Sequence, residues 1–191
     1  EFSIQDYIET FKVAGLIVIR DGVILYEDYN FGNDESSKWV SFSVTKSVTS
    51  MLLGAAIKDG FIESVEDKVI TYLPQLTNSK YKNVSIKEVL HMSSGIDWNE
   101  DYTDPLSDVN IAGALNSLTL YKYLNTLNTA ALPGRKFNYN TGETNLLGGI
   151  VRAAIGNNLS SYLEQKIWKL WSTHPNNKDL TILLAQGSEA V

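Results

Sequence analysis

The sequence predicts an α/β protein of the α+β type, in which an antiparallel sheet accompanies a mostly helical domain. Residues 14–30 contain two runs rich in Val and Ile, joined by Asp21-Gly22. Both positions of a two-residue hairpin turn favour positive φ, so this pair predicts a β-hairpin. After residue 43, apolar residues recur at helical spacing in several segments, which predicts amphipathic helices. We expect residues 1–60 to hold the hairpin and the first long helix, residues 61–171 to form a mostly helical domain, and residues 172–191 to be a truncated C-terminal segment.

The first long helix is predicted from residue 43 to Gly60. Its apolar face is expected to carry Val44, Val48, Met51, Leu52 and Ala55. A second long helix is predicted after residue 140, where Asn140 and Glu143 resemble a capping box. The apolar face of that helix is expected to carry Leu146, Leu147, Ile150, Val151 and Ala154.

Shorter elements connect these helices. Residues 84–92 predict a short helix capped by Ser85, and residues 118–127 and 159–171 predict two more. Residues 93–110 form a long polar stretch, which in a compact domain is often a lid or a binding loop.

Composition excludes several classes of function. The net charge is −6 and no basic cluster is present, which argues against nucleic acid as a partner. No apolar run is long enough to span a membrane. The chain has no cysteine and two histidines, and Tyr102 occupies the glycine position of a calcium-loop-like stretch at residues 97–108. We therefore expect no metal and no cofactor.

Ser43 and Lys46 stand three residues apart where the first long helix begins. Residues at this spacing share a helix face, so the lysine amine can reach the serine hydroxyl. A serine needs a base to become a good nucleophile, and burial together with a positive helix terminus favours the neutral form of a lysine. Ser43 is therefore a candidate nucleophile with Lys46 as its base. The alternative is a serine that only caps the helix.

The same spacing occurs once more, at Ser79 and Lys82. That pair lies in a polar stretch with no apolar helix behind it, and we interpret it as solvated surface. Tyr139 is a further candidate, because a tyrosine near an ammonium group can serve as a general acid or base. Its alternative is a ring that simply packs in a turn-rich connection.

Three motifs in order resemble the penicillin-recognising serine hydrolases. Residues 41–46, SFSVTK, resemble the S-x-x-K box of that family. Residues 89–102, VLHMSSGIDWNEDY, resemble its Leu-x-x-(His/Met)-x-Ser-Gly stretch, and residues 133–142, PGRKFNYNTG, resemble its tyrosine motif. The chain is most similar to the 6-aminohexanoate-dimer hydrolase branch and to class C esterases, from about residue 13 to residue 171.

The resemblance implies a β-lactamase/transpeptidase-like fold and assigns roles to four residues. Ser43 would be the nucleophile, Lys46 would assist its deprotonation, and Tyr139 would pass a proton to the leaving group. Tyr102 matches a loop tyrosine that closes over substrate in the nylon-oligomer hydrolases. The Ser43 N–H would supply half of an oxyanion hole.

Two departures from the family pattern bear on function. Thr141 stands where the family often has Asn, which argues against β-lactam recognition. The third family motif, Lys-Thr-Gly or His-x-Gly on a C-terminal strand, is absent. We therefore expect this chain to be an N-terminal fragment without the C-terminal strands of the sheet.

The resemblance implies a serine hydrolase that cleaves a small-molecule ester or linear amide through an acyl-enzyme. A penicillin-binding D-alanyl peptidase or β-lactamase is one alternative. A non-catalytic, incomplete chain of the same fold is another. Relatives suggest the bacterial cytoplasm or periplasm, but neither the compartment nor the oligomeric state follows from the sequence.

Overall fold

A computed structural model describes residues 2–156 and 158–169 of the chain. By its internal contacts the chain separates into two units, residues 1–40 and residues 41–191. The predicted segment 172–191 lies outside the described residues. The three domains predicted from the sequence stay a prediction. None of the helices in the described ranges is long and apolar enough to cross a membrane.

The first unit contains one helix and the predicted hairpin. Helix α1 spans Ile4–Phe11 and begins with a capping box between Ser3 and Asp6. Strands β1, Gly15–Arg20, and β2, Val23–Tyr29, pair antiparallel, with a register shift between Val18 and Ile19. Asp21 and Gly22 have φ of 51° and 77°, as a type I′ turn requires. The hairpin predicted from Asp21-Gly22 is thus confirmed.

The second unit is helical. Its helices are α2 (Val44–Lys58), α3 (Val69–Tyr72), α4 (Ile86–Leu90), α5 (Asp108–Gly113), α6 (Ser117–Leu124), α7 (Thr141–Ile155) and α8 (Leu159–Leu163). Two 3₁₀ turns, Pro74–Leu76 and Lys80–Asn83, follow α3, and a π-helical turn, Glu164–Trp168, follows α8. The predicted residues 170 and 171 of the last helix lie outside the described ranges.

Helices α2 and α7 pack against each other at the centre of this unit. The predicted face of α7 is confirmed, because Leu146, Leu147, Ile150 and Val151 are buried and Ala154 packs against them. The predicted face of α2 is partly wrong. Val44 and Met51 are 64% and 47% exposed, whereas Leu52, Leu53 and Ala56 are buried. The face of α2 that packs against the core is therefore rotated relative to the predicted face, and it includes Leu53 and Ala56.

Candidate active site

Ser43 lies immediately before α2, in a tight turn. The preceding residue, Phe42, has a φ of 42°, a left-handed conformation that is rare for a bulky side chain. The Ser43 side chain makes no capping hydrogen bond, so its hydroxyl is not used to terminate the helix. The simple capping role that the sequence left open therefore has no support in the geometry.

Lys46 reaches back to this serine from the first turn of α2. Its Nζ donates to the Ser43 Oγ at 3.0 Å. The side chain is half-buried, and no carboxylate in the described parts of the chain forms an ion pair with it. The amine is therefore placed within hydrogen-bond reach of the Ser43 hydroxyl, as a candidate base must be.

Tyr139 also lies next to Lys46. The Lys46 Nζ lies 5.2 Å from the centroid of the Tyr139 ring, within the range of a cation–π contact. The Tyr139 side chain is 37% exposed, so it faces the surface and not the core. Ser43, Lys46 and Tyr139 thus lie together, although the tyrosine follows the serine by almost a hundred residues.

The backbone on both sides of Tyr139 is anchored. Asn138 donates its N–H to the Met92 carbonyl at 2.8 Å and its side-chain amide to the Trp98 carbonyl at 3.0 Å. The Asn140 side chain accepts the Glu143 N–H at 3.0 Å and so caps α7. The two bonds of Asn138 tie the tyrosine motif to the Ser-Gly motif at residues 89–102 and anchor the turn that carries Tyr139.

Only half of the capping box predicted at Asn140 and Glu143 forms. Glu143 is buried, and its side chain does not return to the Asn140 backbone. One carboxyl oxygen, Oε2, has no hydrogen-bond partner. Burial raises the pKa of Glu143 to about 8, although a hydrogen bond with Ser94 acts in the opposite direction.

Tyr102 lies on the long loop between α4 and α5 and is 62% exposed. Its hydroxyl donates to Oε1 of Glu100 at 2.7 Å. The nearby Tyr139 phenol is among the groups that raise the pKa of Tyr102, behind burial and the Glu100 contact. Glu100 also accepts the Thr141 N–H two residues after Tyr139, so Tyr102 is linked to the turn that carries Tyr139, while its predicted role in closing over substrate stays a prediction.

Glu100 was not singled out from the sequence. It accepts four hydrogen bonds, from Trp98, Tyr102 and the backbone and side chain of Thr141. Its partner Thr141 lies 41 residues away, and no periodicity or local motif links the two positions. The one available signal is an acidic residue two positions before the loop tyrosine.

The second serine–lysine pair is solvated surface only in part, because Lys82 is exposed whereas Ser79 is not. Ser79 is buried and caps a 3₁₀ turn, with its hydroxyl accepting the Tyr81 N–H at 3.1 Å and donating to the Leu76 carbonyl at 2.6 Å. Ser79 is thus a structural residue because both functions of its hydroxyl are satisfied by backbone groups.

A cavity of about 200 Å³ adjoins the candidate site. It lies where α2 and α7 approach the end of α4, and is lined by Lys46, Ser47, Ser50, Val89, Leu90, Met92, Thr144 and Leu147. Within the described ranges, no group of three or more His, Asp or Glu side chains is placed to hold a metal ion.

The fold is that of the β-lactamase-like proteins. The profile of the Beta-lactamase family matches residues 4–179, so the chain belongs to this family. It is 30% identical over 193 residues to the 6-aminohexanoate-dimer hydrolase of Paenarthrobacter ureafaciens, covering 96% of this chain and 48% of that protein. The resemblance inferred from the three motifs is confirmed.

Solved structures show the same fold. A class C β-lactamase superposes with a TM-score of 0.72 at 22% identity, covering 96% of this chain and 50% of that one. A Bacillus anthracis protein provisionally described as a 6-aminohexanoate-dimer hydrolase gives a TM-score of 0.73 at 23% identity, covering 86% and 46%. The chain spans about half the length of the relatives it matches.

Proposed function

We propose that the complete protein containing this chain is a serine hydrolase that cleaves an ester or a small linear amide through an acyl-enzyme. The observation that carries this proposal is the 3.0 Å contact between the Lys46 Nζ and the Ser43 Oγ at the start of a core helix. Ser43 is the nucleophile, Lys46 its base, and Tyr139 the group that protonates the leaving group. Membership of the β-lactamase family supports this assignment.

In the acylation step, the Ser43 Oγ attacks the substrate carbonyl carbon while a neutral Lys46 amine accepts the hydroxyl proton. The tetrahedral intermediate collapses when its bond to the leaving alcohol or amine breaks. Tyr139 gives that leaving group a proton and recovers one from Lys46. Water then attacks the acyl-enzyme, the same groups move its proton, and the released acid leaves Ser43 as it began.

The oxyanion of the intermediate needs a hydrogen-bond donor. In the described residues, the Ser43 N–H donates to no other backbone group, whereas the next three N–H groups are all taken by carbonyls. The Ser43 N–H is therefore available as one oxyanion donor. Its position before α2 adds the favourable field of the helix N-terminus.

The preference for esters and linear amides over β-lactams is supported by Thr141. The family often has Asn at this position, but here the Thr141 hydroxyl donates to Glu100. It is thus already engaged and is not free to contact a substrate amide. The relative from Paenarthrobacter ureafaciens is a 6-aminohexanoate-dimer hydrolase, so 6-aminohexanoate dimers are a first substrate to assay. A D-alanyl peptidase is the alternative.

A fluorophosphonate probe tests the nucleophile in the complete protein. We expect labelling at Ser43, with labelling lost in Ser43→Ala and strongly reduced in Lys46→Ala. Ser79→Ala is the matched control, since it alters the other serine–lysine pair, and it should label like the wild type. Labelling that persists in Ser43→Ala would show that the nucleophile is another residue.

The substrate class is tested by comparing kcat/KM for p-nitrophenyl acetate, the 6-aminohexanoate dimer and nitrocefin. We expect one of the first two to be the best substrate. A higher kcat/KM for nitrocefin would assign the protein to β-lactam chemistry and overturn this part of the proposal.

A further inference from the structure

The Glu100 carboxylate joins two separate parts of the candidate site. Its Oε2 accepts the Trp98 indole N–H at 2.5 Å and the Thr141 N–H at 3.0 Å. Its Oε1 accepts the Tyr102 hydroxyl at 2.7 Å and also the Thr141 hydroxyl. Each oxygen therefore holds one donor from the loop and one from the start of α7.

These bonds favour the ionised carboxylate. Burial by itself raises the pKa of Glu100, but the hydrogen bonds from Thr141, Trp98 and Tyr102 together outweigh it and hold the pKa below its usual value. Thr141 is the first residue of the fifteen-residue helix α7, and an anion is stabilised at a helix N-terminus. Glu100 therefore stays an acceptor of all four bonds at neutral pH.

The position of this carboxylate relates directly to the candidate site. Thr141 follows Tyr139 by two residues, and Glu100 accepts hydrogen bonds from both Thr141 and Tyr102. A bond from Glu100 to both Tyr102 and Thr141 thus fixes the loop hydroxyl relative to the turn that carries Tyr139. The neighbouring carboxylate of Asp101 makes no such link between the two segments, because it accepts hydrogen bonds from Thr103 within the same loop.

We infer that Glu100 is a positioning residue, which holds the Tyr102 hydroxyl at a fixed place relative to the turn that carries Tyr139 by clamping the loop to the start of α7. This inference rests on the proposed hydrolase function. Glu100 does not touch the reacting atoms, because all four of its hydrogen bonds go to Trp98, Tyr102 and Thr141. Its effect on turnover passes through the geometry of Tyr102 and Tyr139.

The test uses Glu100→Gln in the complete protein, with kcat and KM measured on the best substrate found above. Glutamine keeps the shape but replaces one acceptor oxygen with an amide that can only donate, which breaks two of the four bonds. Displacement of a positioned group can cost on the order of 10- to 100-fold in kcat/KM. Asp101→Asn is the matched control, and should stay within about twofold of the wild type.

A double-mutant cycle separates positioning from a general effect on folding. If Glu100 acts through Tyr102, Glu100→Gln should cost clearly less in a Tyr102→Phe background than in the wild type. Additive losses, or kinetics of Glu100→Gln equal to those of Asp101→Asn, would overturn the inference. Should Glu100→Gln fail to fold, Thr141→Val removes one donor to the same carboxylate and Thr141→Ser restores it, so activity should fall in the first variant and recover in the second.

The clamp also has a readout that needs no turnover. The Trp98 indole N–H donates to Glu100 at 2.5 Å, so its ¹H–¹⁵N NMR signal, assigned with Trp98→Phe, should lie downfield. That signal should move upfield in Glu100→Gln and stay in place in Asp101→Asn. A wild type without turnover but with this response would refute the hydrolase function and leave the clamp. An active wild type whose Trp98 signal ignores Glu100→Gln would refute the clamp alone.

Discussion

Glu143 places an ionisable group inside the core of the helical unit. It is 1% exposed, and its Oε2 has no hydrogen-bond partner. Burial raises its pKa from 4.5 to about 8. The groups that face it are polar or neutral, namely Ser94, the capping residue Asn140 and the buried phenol of Tyr81, whose own pKa the Glu143 charge helps to raise. The folded protein therefore keeps Glu143 protonated at neutral pH.

The sign of the effect on stability follows from proton binding. Between pH 4.5 and about 8 the unfolded chain releases the Glu143 proton while the folded protein keeps it, so stability falls as the pH rises. The slope is about 1.4 kcal/mol per pH unit, and over this window the loss reaches roughly 5 kcal/mol. The stability that the bound Glu143 proton contributes is fully present below pH 4.5 and is lost by about pH 8.

Glu143→Gln isolates this contribution, because an amide has nearly the shape of the protonated acid and does not titrate. Urea unfolding of the complete protein at pH 5, 6, 7 and 8 should give a growing difference in favour of the variant, small at pH 5 and several kcal/mol at pH 8. Glu63→Gln makes the same chemical change on an exposed side chain and controls for the loss of a charge. A difference between Glu143→Gln and wild type that does not change with pH would refute this reasoning.

Two further predictions concern packing, and urea unfolding measures both. Gly95 has a φ of 80°, and a Cβ there would lie 2.2 Å from the Ala131 carbonyl oxygen, so Gly95→Ala should lower the free energy of unfolding by about 2–5 kcal/mol. The control Gly54→Ala has open space around it and should be neutral or stabilising by up to about 1 kcal/mol. Equal effects of the two substitutions would contradict the steric argument. Leu53 is 1% exposed, so Leu53→Ala should lower the free energy of unfolding by about 2–5 kcal/mol. Met51→Ala, on the exposed side of the same helix, should cost under about 1 kcal/mol. A larger loss for Met51→Ala than for Leu53→Ala would support the α2 face predicted from the sequence.

The features that could be predicted from the sequence are those with a local cause. The Asp21-Gly22 turn needs only two residues able to adopt positive φ. The short helix α4 begins with a complete capping box between Ser85 and Glu88, a signal contained in four residues. The contact between Lys46 and Ser43 likewise follows from the spacing of three residues on one helix.

The features that the sequence did not reveal depend on contacts between distant segments. The pairing of Glu100 with Thr141 spans 41 residues, and nothing in either segment indicates the other. Helical spacing defines an apolar stripe, but the packing of α2 on α7 decides that Leu53 is buried and Met51 is exposed.

Trp98 explains why the second and third family motifs hold together. Its indole N–H donates to Glu100, and its carbonyl accepts a hydrogen bond from the Asn138 side chain. Its ring packs so closely on Gly142 that a Cβ on residue 142 would lie only 2.9 Å from the ring carbons. Gly142 is thus required because it allows the Trp98 ring to approach the backbone, and not because of its own backbone conformation. Any side chain at this position would prevent the ring from packing on the first turn of α7. The buried indole joins the turn of Tyr139, the loop of Tyr102 and the helix of Thr141. The relative placement of the two tyrosines therefore depends on an apolar contact as much as on hydrogen bonds.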